Sequence, residues 1–324
     1  MTAPRRRFVT ANGLHHHILE QGEGPLVLLL HGFPETSLSW RHQIEALASS
    51  GYHAVAPDAR GCGYTGAPPE VASHDTRSHV ADAIALLDAL DARSALVVGH
   101  DWGAVTAWQL ALRHPERLRG VVALSAPLGE HAPAPPLAIM RDRFAGTFFY
   151  ILYFQAEGVA ERELDPDPKG ALERIYHAGS GDAPSPGVGF FGKPATACLL
   201  EGMTPFPKRP PWLDERALDA AASAFARTGF RGALRRYRNI DRDWEHERDV
   251  ADLRVKIPAL YIVGDRDVGH VFDPGALERM RARVPSLSAP LVIPGAGHWI
   301  QQEAADATTG AILRFAETVF GRRR

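Results

Sequence analysis

Apolar residues occur along this chain in short runs that alternate with helical patterns and polar loops. Six such runs predict strands, at residues 26–30, 53–57, 96–98, 120–125, 257–263 and 291–293. The run 26–30 is wholly apolar, as expected of a strand buried on both faces. Helical patterns follow several of the runs, for example at 78–90 and 104–112. Residues 8–20 predict one or two further strands that turn at Asn12-Gly13. This alternation predicts a mostly parallel central sheet flanked by helices.

The pattern changes after Pro127, where proline and turn residues become frequent. Helical patterns lie between the turns, at 144–154 and 218–237, and no strand pattern occurs before Ile257. We therefore expect an α/β core domain formed by residues 1–127 and 246–324. Residues 128–245 are expected to form a helical cap, inserted after the strand that follows the helix at 104–112.

Composition and charge exclude several classes of function. The chain has 324 residues, 45% of them hydrophobic, which is enough for a large buried core. A net charge of −2 gives no indication of binding to nucleic acid. The basic runs Arg5-Arg6-Arg7 and Arg322-Arg323-Arg324 are interpreted as solvated tails. Because Arg5-Arg6-Arg7 leads into Phe8-Val9-Thr10, we expect no secretory leader. No apolar run approaches the roughly 20 residues that span a bilayer, so membrane insertion is not expected.

Cysteine and histidine usage bears on compartment and metal binding. Cys62 and Cys198 are the only two cysteines, which predicts free thiols and a reducing, cytoplasmic location. The only histidine cluster is His15-His16-His17, and consecutive strand residues point to opposite faces, which makes a poor chelate. We expect no metal and no cofactor. Monomer and homodimer both remain open.

The segment Gly99-His100-Asp101-Trp102-Gly103 carries the candidate chemistry. It joins a predicted strand to a predicted helix with the spacing of a nucleophile elbow, normally Gly-x-Ser-x-Gly, but its central residue is Asp101. A carboxylate needs no base to activate it, so it can attack an sp³ carbon directly and form an alkyl ester that water must cleave. The alternative is a glycine-rich turn with an incidental aspartate.

Three polar residues follow successive predicted strands: Asp101, Asp267 and His298. Ligands of open α/β sheets bind at the carboxyl ends of the strands, and the order nucleophile, acid, histidine is that of α/β hydrolases. In this interpretation His298 takes a proton from water, and Asp267 orients the imidazole. Asp265 is the competing acid, although the position of Asp267 fits the pattern better.

Along nearly its whole length the chain resembles the epoxide hydrolases of the α/β-hydrolase fold. The matching stretches are His31-Gly32-Phe33-Pro34-Glu35, Asp58-Ala59-Arg60-Gly61-Cys62-Gly63, Gly99-His100-Asp101-Trp102-Gly103, Gly264-Asp265-Arg266-Asp267 and Gly295-Ala296-Gly297-His298-Trp299. The resemblance implies that the chain hydrolyses a small hydrophobic epoxide to a diol. The elbow and the histidine loop are shared with haloalkane dehalogenases, so the stretches within the cap are more specific.

Two segments of the cap resemble the segments that carry ring-opening tyrosines in that family, at residues 149–155 and 236–239. By that match the two roles fall to Tyr150 and Tyr237. A phenol can hydrogen-bond to the alkoxide that ring opening creates and give it a proton. Tyr153 is the alternative to Tyr150, one turn along the same face.

The resemblance also implies groups for the second step and for the pocket. The backbone N–H groups of Phe33 and Trp102 match the two oxyanion donors of the family. The side chains of Phe33, Trp102 and Trp299 are expected to form apolar walls.

Three other functions use the same fold. A haloalkane dehalogenase would use the same Asp/His/Asp triad but usually has Asn where Phe33 stands. A fluoroacetate dehalogenase needs an arginine pair where this chain has Trp102 and Val105. A non-catalytic binding protein often lacks a triad member, and none is missing here.

Overall fold

A computed structural model describes residues 3–250 and 252–321 and builds them around an eight-stranded sheet in the order β1-β2-β4-β3-β5-β6-β9-β10. Pairing is antiparallel between β1 and β2 and between β2 and β4, and parallel elsewhere. The predicted, mostly parallel sheet is therefore confirmed. The strands are β1 Arg5–Ala11, β2 Leu14–Gln21, β3 Leu26–Leu30, β4 His53–Pro57, β5 Ala95–His100, β6 Leu118–Leu124, β7 Thr147–Phe149, β8 Phe191–Pro194, β9 Ala259–Gly264 and β10 Leu291–Ile293.

Helices cover both faces of this sheet because the central strands alternate buried apolar side chains between the faces. Val97 packs toward the helices at Thr76–Ala89, Trp102–Arg113 and Ala276–Arg283, whereas Val98 packs toward those at Arg41–Ser49 and Ala305–Phe320. The helices are α1 Arg41–Ser49, α2 Thr76–Ala89, α3 Trp102–Arg113, α4 Pro136–Arg143, α5 Tyr150–Tyr153, α6 Val159–Leu164, α7 Pro168–Gly179, α8 Glu215–Thr228, α9 Arg231–Leu234, α10 Ile240–Glu247, α11 Val268–Phe272, α12 Ala276–Arg283, α13 Ile300–Glu303 and α14 Ala305–Phe320.

Residues 128–245, called the insert below, lie between β6 and β9 and are mainly helical. Their own apolar core includes Phe154, Leu172 and Phe225, and it meets the sheet-bearing part of the chain at Phe33 and Trp299. The insert thus lies over the loops at the carboxyl ends of the central strands.

Two helix predictions within the insert are confirmed only in part. The pattern at 144–154 predicted one helix, but α4 ends at Arg143, Gly146 adopts φ +75°, β7 then pairs with β8, and only Tyr150–Tyr153 is helical. The expectation that the insert contains no strand fails for the same reason. The pattern at 218–237 is also broken, because Gly229 at φ +65° ends α8 and the chain restarts as the short helix α9.

The two basic runs have different outcomes. Arg5-Arg6-Arg7 begins β1, and the Arg7 guanidinium donates hydrogen bonds to Glu20. The prediction that this run is a solvated tail is therefore wrong. Arg322-Arg323-Arg324 lies outside the described residues. In the part of the chain that is described, no helix is long and apolar enough to cross a membrane.

Candidate active site

The turn between β5 and α3 holds Asp101 in a conformation that few side chains adopt. Its φ is +51°, and its N–H donates to the carbonyl of Leu124 on the neighbouring strand β6. A Cβ on Gly99 would lie 2.2 Å from the carbonyl oxygen of Gly103, and a Cβ on Gly103 would lie 2.0 Å from that of Leu30. Glycine is therefore required at both positions, and Asp101 is lifted above the sheet edge.

The two carboxylate oxygens of Asp101 face different partners. Oδ1 accepts the backbone N–H of Phe33 at 2.8 Å, and Oδ2 lies 3.6 Å from Nε2 of His298. Burial disfavours the charge, but the hydrogen bond and charge of His298, together with the Phe33 N–H, lower the pKa of Asp101 below its usual value. Asp101 is therefore an anion at neutral pH.

Of the two candidate acids, Asp267 is the one whose carboxylate reaches the imidazole. Its Oδ2 lies 2.8 Å from Nδ1 of His298, and its Oδ1 accepts the N–H of Gly269 at 2.7 Å. Its side chain is fully buried. Asp265 is exposed and accepts the N–H of Gly295 instead, so it binds the backbone of the histidine loop.

His298 lies between two carboxylates, and this position controls its charge. Burial disfavours the imidazolium, yet Asp267 and Asp101 together raise the pKa of His298 well above its usual value. The backbone of His298 is held on both sides. Its N–H donates to Gly179, and its carbonyl accepts from Ser125 Oγ at 3.0 Å and from His100 Nε2 at 2.8 Å.

The structure brings Tyr150 and Tyr237 together above Asp101. Their ring centroids are 6.0 Å apart, and both residues line the same cavity as Asp101 and His298. Burial, with the Asp101 charge as a second cause, raises the pKa of both phenols, which keeps them protonated. Among the described residues, the Tyr150 hydroxyl has no hydrogen-bond partner. The Tyr153 hydroxyl instead donates to Glu163 at 2.8 Å, and Tyr153 is not among the residues that line the cavity.

The cavity has a volume of about 50 Å³ and mostly apolar walls. Two of the three predicted wall residues, Phe33 and Trp299, line it. Trp102 is not among the lining residues, because its ring packs edge-on against Tyr237 from behind at 5.0 Å, with the Arg236 guanidinium above it. The remaining lining residues are Pro34, Asp101, Tyr150, Ile175, Phe190, Tyr237, Val268 and His298.

The predicted second oxyanion donor, the N–H of Trp102, belongs to the first residue of α3. An N–H at this position has no acceptor within the helix, so it is available to a ligand. Together with the Phe33 N–H and the positive end of the α3 dipole, it favours negative charge at Asp101.

Sequence reasoning assigned no role to Glu35 and His100, which form a fully buried pair behind the site. Their Oε2 and Nδ1 atoms are 2.8 Å apart, and the side-chain amides of Gln301 and Gln302 also donate to Glu35. Since His100 Nε2 binds the carbonyl of His298, this network supports the histidine loop from below. The sequence did contain an indication of this pair, because Glu35 ends the motif at residues 31–35 and His100 lies in the motif at residues 99–103. Within residues 3–250 and 252–321, no group of three or more His, Cys, Asp or Glu residues could hold a metal ion.

Comparisons with known proteins agree with this geometry. A family model described as the alpha/beta hydrolase fold matches residues 25–172. The chain is 40% identical over 324 residues to epoxide hydrolase A of Mycobacterium tuberculosis, covering 97% of this chain and 98% of that protein. Epoxide hydrolase 1 of Siraitia grosvenorii is 37% identical over 313 residues, with coverages of 95% and 96%.

Solved structures give the same result. An epoxide hydrolase from an endophytic Streptomyces has a TM-score of 0.94 at 39% identity, covering 98% of this chain and 96% of that one. Epoxide hydrolase A from Mycobacterium thermoresistibile has a TM-score of 0.91 at 38% identity, with coverages of 97% and 98%.

Proposed function

The chain belongs to the epoxide hydrolases of the α/β-hydrolase fold, and we propose that it opens its substrate through a covalent ester on Asp101. It is a hydrolase that acts on the ether bond of epoxides. The observation that carries the proposed mechanism is the shared cavity, which is lined by one carboxylate, two protonated phenols and one histidine.

In the first half-reaction, Oδ2 of Asp101 attacks a ring carbon and the C–O bond of the epoxide breaks. Oδ1 stays bound to the Phe33 N–H at 2.8 Å and becomes the ester carbonyl oxygen. The lowered pKa of Asp101 ensures that the nucleophile is ionised before substrate binds. No base is needed for this step.

The departing ring oxygen takes up negative charge and needs a proton. Tyr150 and Tyr237 line the cavity beside Asp101 and are protonated, so their O–H groups can hydrogen-bond to the alkoxide and transfer a proton to it. The tyrosinate that results regains its proton from the solvent or from the His298 imidazolium.

In the second half-reaction, His298 removes a proton from a water molecule that attacks the ester carbonyl. Esterification removes the negative charge of Asp101 next to Nε2, so the pKa of His298 falls and the imidazole becomes available as a base. Asp267 holds Nδ1–H and stabilises the imidazolium that forms. The N–H groups of Phe33 and Trp102 bind the oxyanion, and collapse of the intermediate releases the diol and restores Asp101.

We also propose that the insert, residues 128–245, acts as a cap over a core formed by residues 1–127 and 246–324. It contributes both tyrosines and the apolar residues Ile175 and Phe190 to the cavity. Because the walls of the cavity are mostly apolar, a small hydrophobic epoxide is the proposed substrate class.

The ester mechanism is tested with a single turnover in H₂¹⁸O, with styrene oxide as the probe and enzyme in excess. Hydrolysis of an ester at its carbonyl places ¹⁸O in the Asp101 carboxylate, and the diol of the first turnover carries unlabelled oxygen from the enzyme. Label in the diol and none in the peptide containing Asp101 would instead show direct attack of water on the epoxide.

A further inference from the structure

Glu303 ends the short helix α13, five residues after His298, and its carboxylate binds three backbone N–H groups. Oε2 accepts from Gly181 at 2.7 Å and from Gly297 at 3.0 Å, and Oε1 accepts from Trp299 at 2.8 Å. Two of these donors flank His298 in the sequence, and the third belongs to the insert. Glu303 therefore connects the histidine loop to the insert through one side chain.

The same two segments also touch through their backbones. A Cβ on Gly181 would lie 2.0 Å from the carbonyl oxygen of Gly295, and a Cβ on Gly297 would lie 2.4 Å from the nitrogen of Gly181. The N–H of His298 donates to the carbonyl of Gly179 at 2.7 Å. No side chain separates the segments here, so a small displacement of one moves the other.

Glu303 occupies this position at an energetic cost. Burial raises the pKa of its carboxyl group to about 7, even though all three amides and the charge of His298 favour the anion. Within the described residues no lysine or arginine forms an ion pair with it. A carboxylate kept here without a cation serves the backbone groups that it binds.

We propose that Glu303 is a positioning residue that fixes the His298 loop against the insert, so that hydrolysis of the ester depends on its carboxylate and alkylation does not. The inference rests on the proposed function, since it assumes an alkylation step carried out by Asp101 and a hydrolysis step that needs His298. These two residues are held in place by different parts of the structure. Asp101 is held by the β5–α3 turn and by the Phe33 N–H, neither of which contacts Glu303. The position of the imidazole is set by the loop whose flanking amides Glu303 binds.

The substitution Glu303→Gln tests this division with little change in shape. A glutamine has one acceptor oxygen, which is best placed on the two glycine amides, and its NH₂ group then opposes the N–H of Trp299. At pH 8, where most of the Glu303 carboxyl group is ionised, we expect hydrolysis of the ester to slow by about 10- to 100-fold, the rate equivalent of losing a charge-assisted hydrogen bond beside His298. Alkylation should stay within about twofold of the wild type.

Both rates are read from intact-protein mass spectra after rapid quenching of a styrene oxide reaction. The rise of the substrate-mass adduct gives alkylation, and its decay gives hydrolysis. A normal rise also shows that the variant is folded. Glu23→Gln, the same change in an exposed turn, is the matched control and should leave both rates unchanged.

A second variant, Glu303→Asp, keeps the proposal testable if Glu303→Gln does not fold. Glu303→Asp keeps the charge with a shorter reach and should slow hydrolysis by less than Glu303→Gln, with normal alkylation. Equal slowing of both steps, or normal hydrolysis in Glu303→Gln, overturns the proposal. If neither the wild-type enzyme nor His298→Gln, in which hydrolysis is blocked, ever carries the adduct, the ester mechanism itself is contradicted, so the two failures are distinguishable.

Discussion

Replacing Asp267 with asparagine should stop the second half-reaction by reversing the tautomer of His298. Oδ1 of Asp267 accepts the N–H groups of Gly269 at 2.7 Å and of His270 at 3.4 Å. These amides will hold the carbonyl oxygen of an asparagine in the same place. Its NH₂ group then faces Nδ1 of His298, at the position where Oδ2 lies 2.8 Å away. Nδ1 becomes an acceptor, and the imidazole proton moves to Nε2.

A proton on Nε2 removes the lone pair that should accept a proton from water. By analogy with the serine triad, where the same change acts through the wrong tautomer, we expect kcat to fall by about 10⁴, or about 5 kcal/mol in activation free energy. Loss of the Asp267 charge also lowers the pKa of His298, since that charge is a principal cause of its elevation. Alkylation should change far less, because Asp101 needs no base.

The assay is a rapid-quench time course with mass detection of the adduct, run beside steady-state diol formation. Asp265→Asn is the matched control, because it makes the same change two residues away and keeps an acceptor oxygen for the Gly295 N–H. It should turn over near the wild-type rate. If Asp265→Asn were crippled and Asp267→Asn normal, the assignment of the acid would be wrong.

Two further predictions concern the tyrosines and Asp243, a buried carboxyl group within the insert. Tyr150→Phe and Tyr237→Phe should each slow alkylation by about 10², and the double variant should nearly abolish it, whereas Tyr153→Phe should not affect it. An unchanged alkylation rate in the double variant would show that Tyr150 and Tyr237 are not the proton donors for ring opening. Burial raises the pKa of Asp243, which accepts both the N–H and the Oγ–H of Thr76, to about 6. The folded state therefore keeps a proton that the unfolded chain releases, and the free energy of unfolding should fall as the pH rises from about 4 to about 6. In Asp243→Asn, the free energy of unfolding measured by urea titration should no longer show this decrease with pH. If the decrease is the same as in the wild type, the raised pKa of Asp243 is not its cause.

The residues at the strand ends could be predicted from the sequence because their placement depends on local signals. An apolar run followed by a glycine-bounded turn specifies where Asp101, Asp267 and His298 emerge, and the parallel sheet then brings these ends to one edge. The comparisons confirm the predicted fold and reaction class. The individual catalytic roles stay predictions, although the geometry supports them.

The insert was harder to predict because the spacing of its aromatic residues is compatible with both a helix and a strand. Phe148 has neighbours at helical spacing, yet Gly146 in the left-handed region separates it from α4, and β8 supplies a strand partner for β7 more than 40 residues later. Trp102 was expected in the pocket wall, but its ring direction depends on Tyr237, which is distant in the sequence. The contact between Glu303 and Gly181 also joins distant segments, and no local pattern encodes it.

The most direct test of the covalent mechanism is the intact mass of His298→Gln after mixing with styrene oxide. Asp101 attacks without help, so this variant should gain the full mass of the substrate on the peptide that contains Asp101, and it should stay modified because no base activates water. Asp101→Asn and Asp101→Ala should gain nothing. If His298→Gln stays unmodified with a substrate that the wild type converts, His298 acts before any ester forms, and Asp101 is not the nucleophile.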